Sequence, residues 1–453
     1  MYLALPAELC LRRGMTRTTA AGALAPVLAA FVGEDAPIRV LFWDSSVIEA
    51  DTNTTLVIHS PRALRRLLYA PGELGLARAY VAGDIDIEGD LQGVFSLAER
   101  YRDSATLARP PRQFPPLVRA ARKLGIDPRP LCPPPEEARI SGRSHSPKRD
   151  RAAISHHYDV SNDFYKLVLG DSLTYSCAFF ARDGMSLEEA QSAKHDLVCR
   201  KLGLRSGMRL LDVGCGWGEM VAHAAENYGV RAVGVTLSER QHELASKRIA
   251  EGGLADRVEI RLQDYRSISD GPYDAISSIG MFEHVGARML DHYFATLYGL
   301  VREGGRVLNH GISRPPGRTG VDRRSFVARY VFPDGELHEV GAVVSAMQER
   351  GFEVRDVESL REHYARTLKA WVTNLERNWD EAVRLTSEGR ARVWRLYMSG
   401  SAAGFEAGRI SIHQVLGVRP DAGGGSGMPP TREWLIEMGN RPGREKMNPA
   451  RRP

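Results

Sequence analysis

From Ile154 to about Leu416, short apolar runs alternate with stretches whose hydrophobic residues recur at helical spacing. Arg209–Val213 is an apolar run of strand length, and Glu219–Tyr228 carries the helical period. Ala232–Thr236 predicts the next strand and Glu239–Glu251 the next helix. Val258–Leu262 and Asp274–Ser278 predict two further strands, and a helix over Leu290–Val301 leads to a strand over Gly305–Asn309. Strand and helix repeating at this spacing predict an α/β fold with a parallel sheet covered on both faces. Right-handed crossovers make that sheet doubly wound, with its ligand beyond the carboxyl ends of the strands.

The first hundred residues read differently. Ile38–Trp43 and Thr54–His59 have the character of short strands, while Pro61–Leu68 and Leu91–Tyr101 read as helices. Over Ala20–Val32, Leu24, Leu28 and Phe31 fall on one helical face with Val27 beside them, although Pro26 interrupts the pattern. Arg12, Arg13 and Arg17 in front of this stretch imitate a secretory signal, but the periodicity favours a folded first helix. A small α+β domain is expected over 15–103. Ten of the 25 prolines lie between Pro110 and Pro147, so 104–150 is expected to be a Pro-rich basic linker, interrupted by short helical pieces such as Pro116–Leu124. A catalytic domain over 151–420 and a mobile, dispensable tail over 421–453 complete the expected organisation.

Composition narrows the classes. The 453 residues are 43% hydrophobic, enough for real cores, and no apolar run approaches the ~20 residues of a membrane-spanning helix. The five cysteines form no C-x-x-C pair, so neither a metal site nor a disulfide scaffold is expected, and the chain reads as a cytoplasmic enzyme with free thiols. Residues 100–151 hold 13 Lys+Arg against 5 Asp+Glu, more than the whole net charge of +5. That segment suits an anionic partner, nucleic acid or an acidic membrane surface, although charge alone favours a solvated linker. There is no Asn/Asp-Pro-Pro-Tyr/Phe motif for amino-group methylation and no recognisable RNA-binding module, so no nucleic-acid partner is expected.

The strongest local motif is Leu210-Leu211-Asp212-Val213-Gly214-Cys215-Gly216-Trp217-Gly218, a strand ending in a glycine-rich turn that opens a helix. Glycines there permit positive φ and close backbone approach, and the helix start offers unpaired N–H groups to an anion. A dinucleotide site would want G-x-G-x-x-G and an acid closing the second strand. This sequence has G-x-G-x-G, and its second strand closes in Thr236-Leu237-Ser238. Both details point to S-adenosylmethionine, its carboxylate at the helix start. Gln263-Asp264-Tyr265 after the third strand supply an acid and an aromatic for an adenine, and Gln241 lies within reach of a ribose. The plainer readings of these residues are a tight turn, a helix cap and a surface amide.

His157–Tyr165, Tyr175-Ser176-Cys177, the LLDVGCGWG loop, Gly234–Gln241, Met281–Gly286, Arg329–Pro333 and His363–Leu368 with Trp371 together resemble the cyclopropane-fatty-acyl-phospholipid synthases. The likeness covers about 151–416 in order, and Gly72–Asp90 is similar to the N-terminal domain of the longer, phospholipid-acting members. It implies a Rossmann-like class I methyltransferase with helical lipid-site insertions. It further implies methylene transfer from S-adenosylmethionine to a cis double bond in membrane phospholipid, with bound bicarbonate as base. By motif position the bicarbonate ligands would be Cys177, Glu283, His310, Tyr364 and the backbone of Ile312. Tyr175, Ser176, Asp212, Gly214, Cys215, Gly216, Gly218, Thr236, Leu237, Ser238, Gln241, Gln263, Asp264 and Tyr265 would form the S-adenosylmethionine site. Tyr330 and Phe332 would face a cationic carbon.

Each ligand also has a plain reading. Cys177 suits a small buried hydrophobe and His310 a core histidine. Tyr364, Leu368, Trp371, Leu375 and Trp379 suit one buried helix face. The sequence departs from the resemblance at Leu337-His338-Glu339, where family members often have Leu-Pro-Ser. A same-family enzyme giving methylene- or methyl-branched chains is the alternative. Transient docking on the inner face of the membrane through 109–151 is expected, and a homodimer remains open.

Overall fold

The computed structural model describes residues 18–32, 37–102, 110–127, 129–138, 149, 161–317, 325–333 and 335–432. The expected start at 15, the remainder of the 104–150 segment, the motif residues His157–Val160 and the tail beyond 432 lie outside them. Between Cys132 and Pro133 the chain divides into two compact units.

In the first unit, strands β1 (Arg39–Phe42), β2 (Val47–Ile48), β3 (Thr55–Ile58) and β4 (Ile85–Glu88) form a sheet in the order β2-β1-β3-β4. β1 and β3 are parallel and the other pairs antiparallel. The helix Ala20–Val32 buries Ala20, Leu24 and Val27 and leaves Pro26 on its exposed side. The helical piece expected from Pro116 begins earlier and is not a loose interruption: Pro110–Lys123 is a helix packed on Ala20–Val32 and on the helix Arg62–Tyr69. Leu117, Ala120 and Ala121 recur at helical spacing and are buried, and the prolines fall in its N-terminal half. Arg66 locks the unit internally, pairing with buried Asp84 at 2.6 Å and donating to the Cys132 carbonyl at 3.1 Å.

The second unit carries β5 (Arg209–Val213), β6 (Arg231–Thr236), β7 (Val258–Leu262), β8 (Tyr273–Ile279), β9 (Val301–Ser313), β10 (Glu353–Ser359) and β11 (Ser411–Val418). Their order is β10-β11-β9-β8-β5-β6-β7. β6, β7, β8 and β9 extend β5 in parallel, as the apolar runs predict, whereas β11 runs antiparallel to both β9 and β10. Leu210 packs on one face with Val221 and Ala224, and Leu211 and Val213 on the other with Phe294 and Leu297. That alternation is why both faces need helices.

Between β10 and β11 the chain makes two long helices, Arg361–Arg377 and Glu388–Glu406, packed on one another and joined by Trp379–Leu385. Tyr364, Leu368, Trp371 and Leu375 are buried along one face, but Asn378 ends that helix and Trp379 starts the next. The described start of the expected tail is held rather than loose. Met428 packs on the core and Arg432 lies 3.4 Å from Asp356. Among the described residues no helix is long and apolar enough to cross a membrane, and no side-chain cluster could hold a metal ion.

Candidate active site

The carboxyl ends of β5, β6, β7 and β8 open onto one cavity. β5 delivers Asp212 and the turn Gly214-Cys215-Gly216, β6 delivers Thr236-Leu237, and β7 is followed by Gln263, Asp264 and Tyr265. Tyr175, Ser176 and Gln241 close the wall. Twelve of the fourteen residues expected at the cofactor therefore line this space. Gly218 and Ser238 do not: Gly218 takes φ +84° to start the helix Glu219–Tyr228, and Ser238 caps Glu239–Glu251 by accepting from Gln241 N. Gly214 sits at φ +81°, and a Cβ there would meet the Met281 Cβ at 2.9 Å. Glycine is required at that turn.

The polar groups around the cavity are anchored. Thr236 Oγ1 donates to Gln241 Oε1 at 2.8 Å, and Asp264 caps a short 3-10 turn while holding Arg266 at 2.5 Å. Asp212 is buried and accepts from Ser277 Oγ at 2.6 Å; burial pushes its carboxyl up to about 6. Three residues the sequence reading missed also belong here. Lys194 and Glu219 line the cavity, and Gln191, on the same helix as Lys194 (Leu187–Leu202), donates to the Thr174 and Ser176 carbonyls and so fixes the Thr174–Ser176 wall.

The five expected bicarbonate ligands form a connected neighbourhood beyond this cavity. Glu283 lies between Met281 and His284, both of which line the cavity, yet its own carboxyl turns toward β9. Ile312 N donates to Glu283 Oε1 at 2.7 Å. Ile312 is paired with Ile412 of β11, and Ile412 accepts at its carbonyl from Leu360 N. The Leu360 carbonyl accepts from Tyr364 N and from the Cys177 thiol, the latter at 3.7 Å. His310 stands two residues before Ile312, with Nδ1 3.4 Å from Gln414 Nε2.

Two roles differ from expectation. The Ile312 N–H donates to Glu283 in this structure and so positions that expected ligand. The Cys177 thiol points its hydrogen at the Ala178 and Leu360 carbonyls, and burial raises its pKa, so it stays a neutral thiol. What remains is Glu283 Oε2 and His310 Nε2, both buried and with no hydrogen-bond partner in the structure; Tyr364 is also buried, its ring against Trp371 and Phe405. Burial lifts the Glu283 carboxyl to about 7 and drives His310 down, so its ring is neutral. With the Gln414 amide donating to Nδ1, Nε2 carries the proton and is a donor. An anion that offers one hydroxyl and accepts the remaining bonds fits this set.

Aromatic rings join the two places. Tyr175 lies 5.4 Å from Trp371 and 5.6 Å from Trp394, and its hydroxyl is hydrogen-bonded to Tyr397. Tyr364 is 6.0 Å from Trp371, and Phe332 is 5.9 Å from Tyr397. Tyr330 departs from its expected part: its hydroxyl donates to buried Glu137, and its ring packs on Phe326. Trp394 and Tyr397 read as ordinary core in a helix, so the sequence had no signal for them.

A doubly wound sheet with a glycine turn after β5, and polar residues after β6 and β7 lining the same cavity, is the architecture of a class I S-adenosylmethionine-dependent methyltransferase. The sequence model described as mycolic acid cyclopropane synthetase matches residues 145–415, and the chain belongs to that family. A domain of unknown function matches residues 31–109. A probable fatty acid methyltransferase of Mycobacterium tuberculosis is 41% identical over 427 residues, 92% of this chain and 99% of its own. A probable fatty acid methyltransferase of Pseudomonas putida is 39% identical, over 88% of this chain and 95% of its own. The solved mycolic acid cyclopropane synthase CmaA1, complexed with SAH and CTAB, is 37% identical with a TM-score of 0.56 over 59% of this chain and 97% of its own.

Proposed function

We propose that this enzyme transfers a one-carbon unit from S-adenosylmethionine to the cis double bond of an acyl chain in a membrane phospholipid and closes it into a cyclopropane ring, with bicarbonate as base. The observation that carries this reading is that Glu283 Oε2, just after β8, and His310 Nε2, near the end of β9, are each buried without a hydrogen-bond partner. Closing a ring from an alkene needs a base near the transferred carbon, because a proton must leave it, and buried polar groups without partners are suited to hold one.

When bound, S-adenosylmethionine supplies an electrophilic methyl and bicarbonate a small base that a carbocation does not alkylate irreversibly. Glu283 Oε2, His310 Nε2–H and the Tyr364 hydroxyl would hold that anion, with Ile312 N–H and Gln414 fixing the two side chains behind them. Near neutral pH the Glu283 carboxyl can accept or release a proton at Oε2. Tyr175, Trp371 and Trp394, packed on one another, would help exclude water and offer π faces to positive charge. That CmaA1 was solved with CTAB, a long alkyl chain on a quaternary ammonium, supports an acyl site of this character.

An acyl chain within a bilayer requires docking on its surface. Arg119, Arg122 and Lys123 are exposed on the helix Pro110–Lys123 and suit anionic headgroups on the inner face of the membrane. The names of the fatty acid methyltransferases favour a second product, a methylene-branched chain of equal mass. Incubation with methyl-labelled S-adenosylmethionine and vesicles of cis-unsaturated phospholipid decides between them. Upfield cyclopropane protons in the NMR spectrum of the released acyl chains support ring closure, and vinylic protons replace it with the branched product. Tyr364→Phe should fold, bind cofactor and lose turnover by ~10²-fold or more. Undiminished rates in carbonate-depleted buffer would remove bicarbonate from the scheme.

A further inference from the structure

Lys194 is 1% exposed, on the helix Leu187–Leu202, and lines the cofactor cavity. Its Nζ donates to Ser176 Oγ at 3.1 Å. Among the described residues no carboxylate lies within ion-pair distance of it. Asp212 is the strongest of its acidic neighbours, with Glu219 weaker, but Asp212 is hydrogen-bonded to Ser277 and Glu219 is paired with Arg248 at 2.7 Å. The other cations at the cavity are placed differently. Arg266 is held by Asp264, while His195 is neutral, its pKa driven down by burial and by Lys194 itself.

A buried ammonium hydrogen-bonded to one hydroxyl, with its acidic neighbours engaged elsewhere, is costly, by several kcal/mol in a dry interior. Burial accordingly draws the amine down to about 8. Such a group is best explained by an anion that arrives with a ligand. The helix start at Glu219 is a poor place for that anion on its own, because its first turn carries a carboxylate facing the same cavity. Ser176, on the wall expected to touch the cofactor, is the atom Lys194 already reaches.

We propose that Lys194 binds the carboxylate of the methionine moiety of S-adenosylmethionine, with Ser176 orienting its ammonium, and thereby sets affinity for the amino-acid end of the cofactor. The proposal rests on the cofactor reading and deepens it. It differs from the helix-start contact drawn from the sequence, since the charge comes from a helix preceding the sheet.

Calorimetric binding of two probes tests this: S-adenosylhomocysteine, which has the carboxylate, and 5′-methylthioadenosine, which has the same nucleoside and no amino acid. Lys194→Met should weaken S-adenosylhomocysteine by about tenfold to a hundredfold, the loss of one charge-assisted hydrogen bond. The same variant should hold 5′-methylthioadenosine within about twofold of the wild type, and Lys194→Arg should recover part of the lost affinity. Lys194→Gln gives a second neutral probe that can keep the Ser176 contact if the Met variant does not fold. Equal loss of both ligands assigns Lys194 a structural part and overturns the proposal, as does undiminished S-adenosylhomocysteine binding in the neutral variants. A wild-type protein that binds neither probe overturns the cofactor reading itself.

Discussion

Ile312 donates its backbone N–H to one oxygen of Glu283 at 2.7 Å, while the other oxygen of that carboxyl is buried with no hydrogen-bond partner. One side of the group is fixed by β9 and the other is presented to a ligand. The same arrangement makes the group an expensive anion, and its pKa rises from 4.5 to about 7, with burial outweighing the Ile312 bond.

That shift has a sign that can be measured. A carboxyl whose folded pKa is raised binds its proton more tightly in the folded state. Its contribution to stability is present below 4.5 and is lost as pH climbs through about 7. Glu283→Gln removes the titration. The variant should gain stability on the wild type between pH 5 and 8, by as much as about 3 kcal/mol, and the two should converge in acid. Turnover should fall by ~10²-fold or more with S-adenosylhomocysteine affinity unchanged, since Glu283 does not line the cofactor cavity. Parallel unfolding midpoints across that range would count against the assigned environment.

The parallel half of the sheet was legible because central strands such as β5 are mostly apolar while the edge strand β7 alternates apolar and charged residues, and Arg209–Val213 and Val258–Leu262 coincide with their predicted limits. β10 and β11 were not. β10 reads Glu-Val-Arg-Asp-Val-Glu-Ser at the sheet edge with Val357 45% exposed, and β11 buries Gln414 and a glycine where a strand usually shows branched residues. The candidate ligands were reached through ordered motifs, but the direction of each group was not. Nothing in the sequence says that Ile312 serves Glu283 or that the Cys177 thiol serves a carbonyl. Lys194 was invisible for a related reason: a lysine on an amphipathic helix reads as solvent-facing until its burial is seen.

Gly214 tests the cavity independently of any charge. Alanine there would have to adopt φ +81° and bring its Cβ to 2.9 Å from Met281 Cβ and 3.0 Å from its Cγ. Both penalties act on the turn that faces the cofactor, at about 1–2 kcal/mol for the backbone alone. Gly214→Ala should lower the melting temperature and weaken S-adenosylhomocysteine at least tenfold. Gly317→Ala, also at positive φ but with open space around it and away from the cavity, should leave ligand affinity unchanged.

Glu137 makes a different connection, from the segment just after the unit boundary to the aromatic wall. Its buried carboxyl accepts from Arg329 Nε at 2.8 Å and from the Tyr330 hydroxyl at 3.2 Å, and Ala138 N donates to the Arg329 carbonyl at 2.7 Å. Two residues on, Phe332 packs against Tyr397, which is bonded to Tyr175. Glu137→Ala leaves Tyr330 and a half-exposed Arg329 without their acceptor, a loss of about 1–3 kcal/mol once solvent screening at Arg329 is allowed for. The KM for lipid should rise more than the KM for S-adenosylmethionine. A change confined to stability would separate Glu137 from the acyl site.

The exposed cations of the helix Pro110–Lys123 separate membrane docking from chemistry. Leu117, Ala120 and Ala121 anchor this helix from the opposite side, so neutralising Arg119, Arg122 and Lys123 together should leave the fold intact. Each cation near an anionic surface contributes about 1 kcal/mol, and the triple variant should bind anionic vesicles about a hundredfold more weakly at low salt. Screening should shrink the difference as ionic strength rises. Turnover on acyl chains dispersed in neutral detergent should be unchanged, because none of the three lines the cofactor cavity. Co-sedimentation equal to the wild type at low salt would remove this helix from the docking surface, and a parallel loss of detergent activity would show that the substitutions had disturbed the catalytic unit instead.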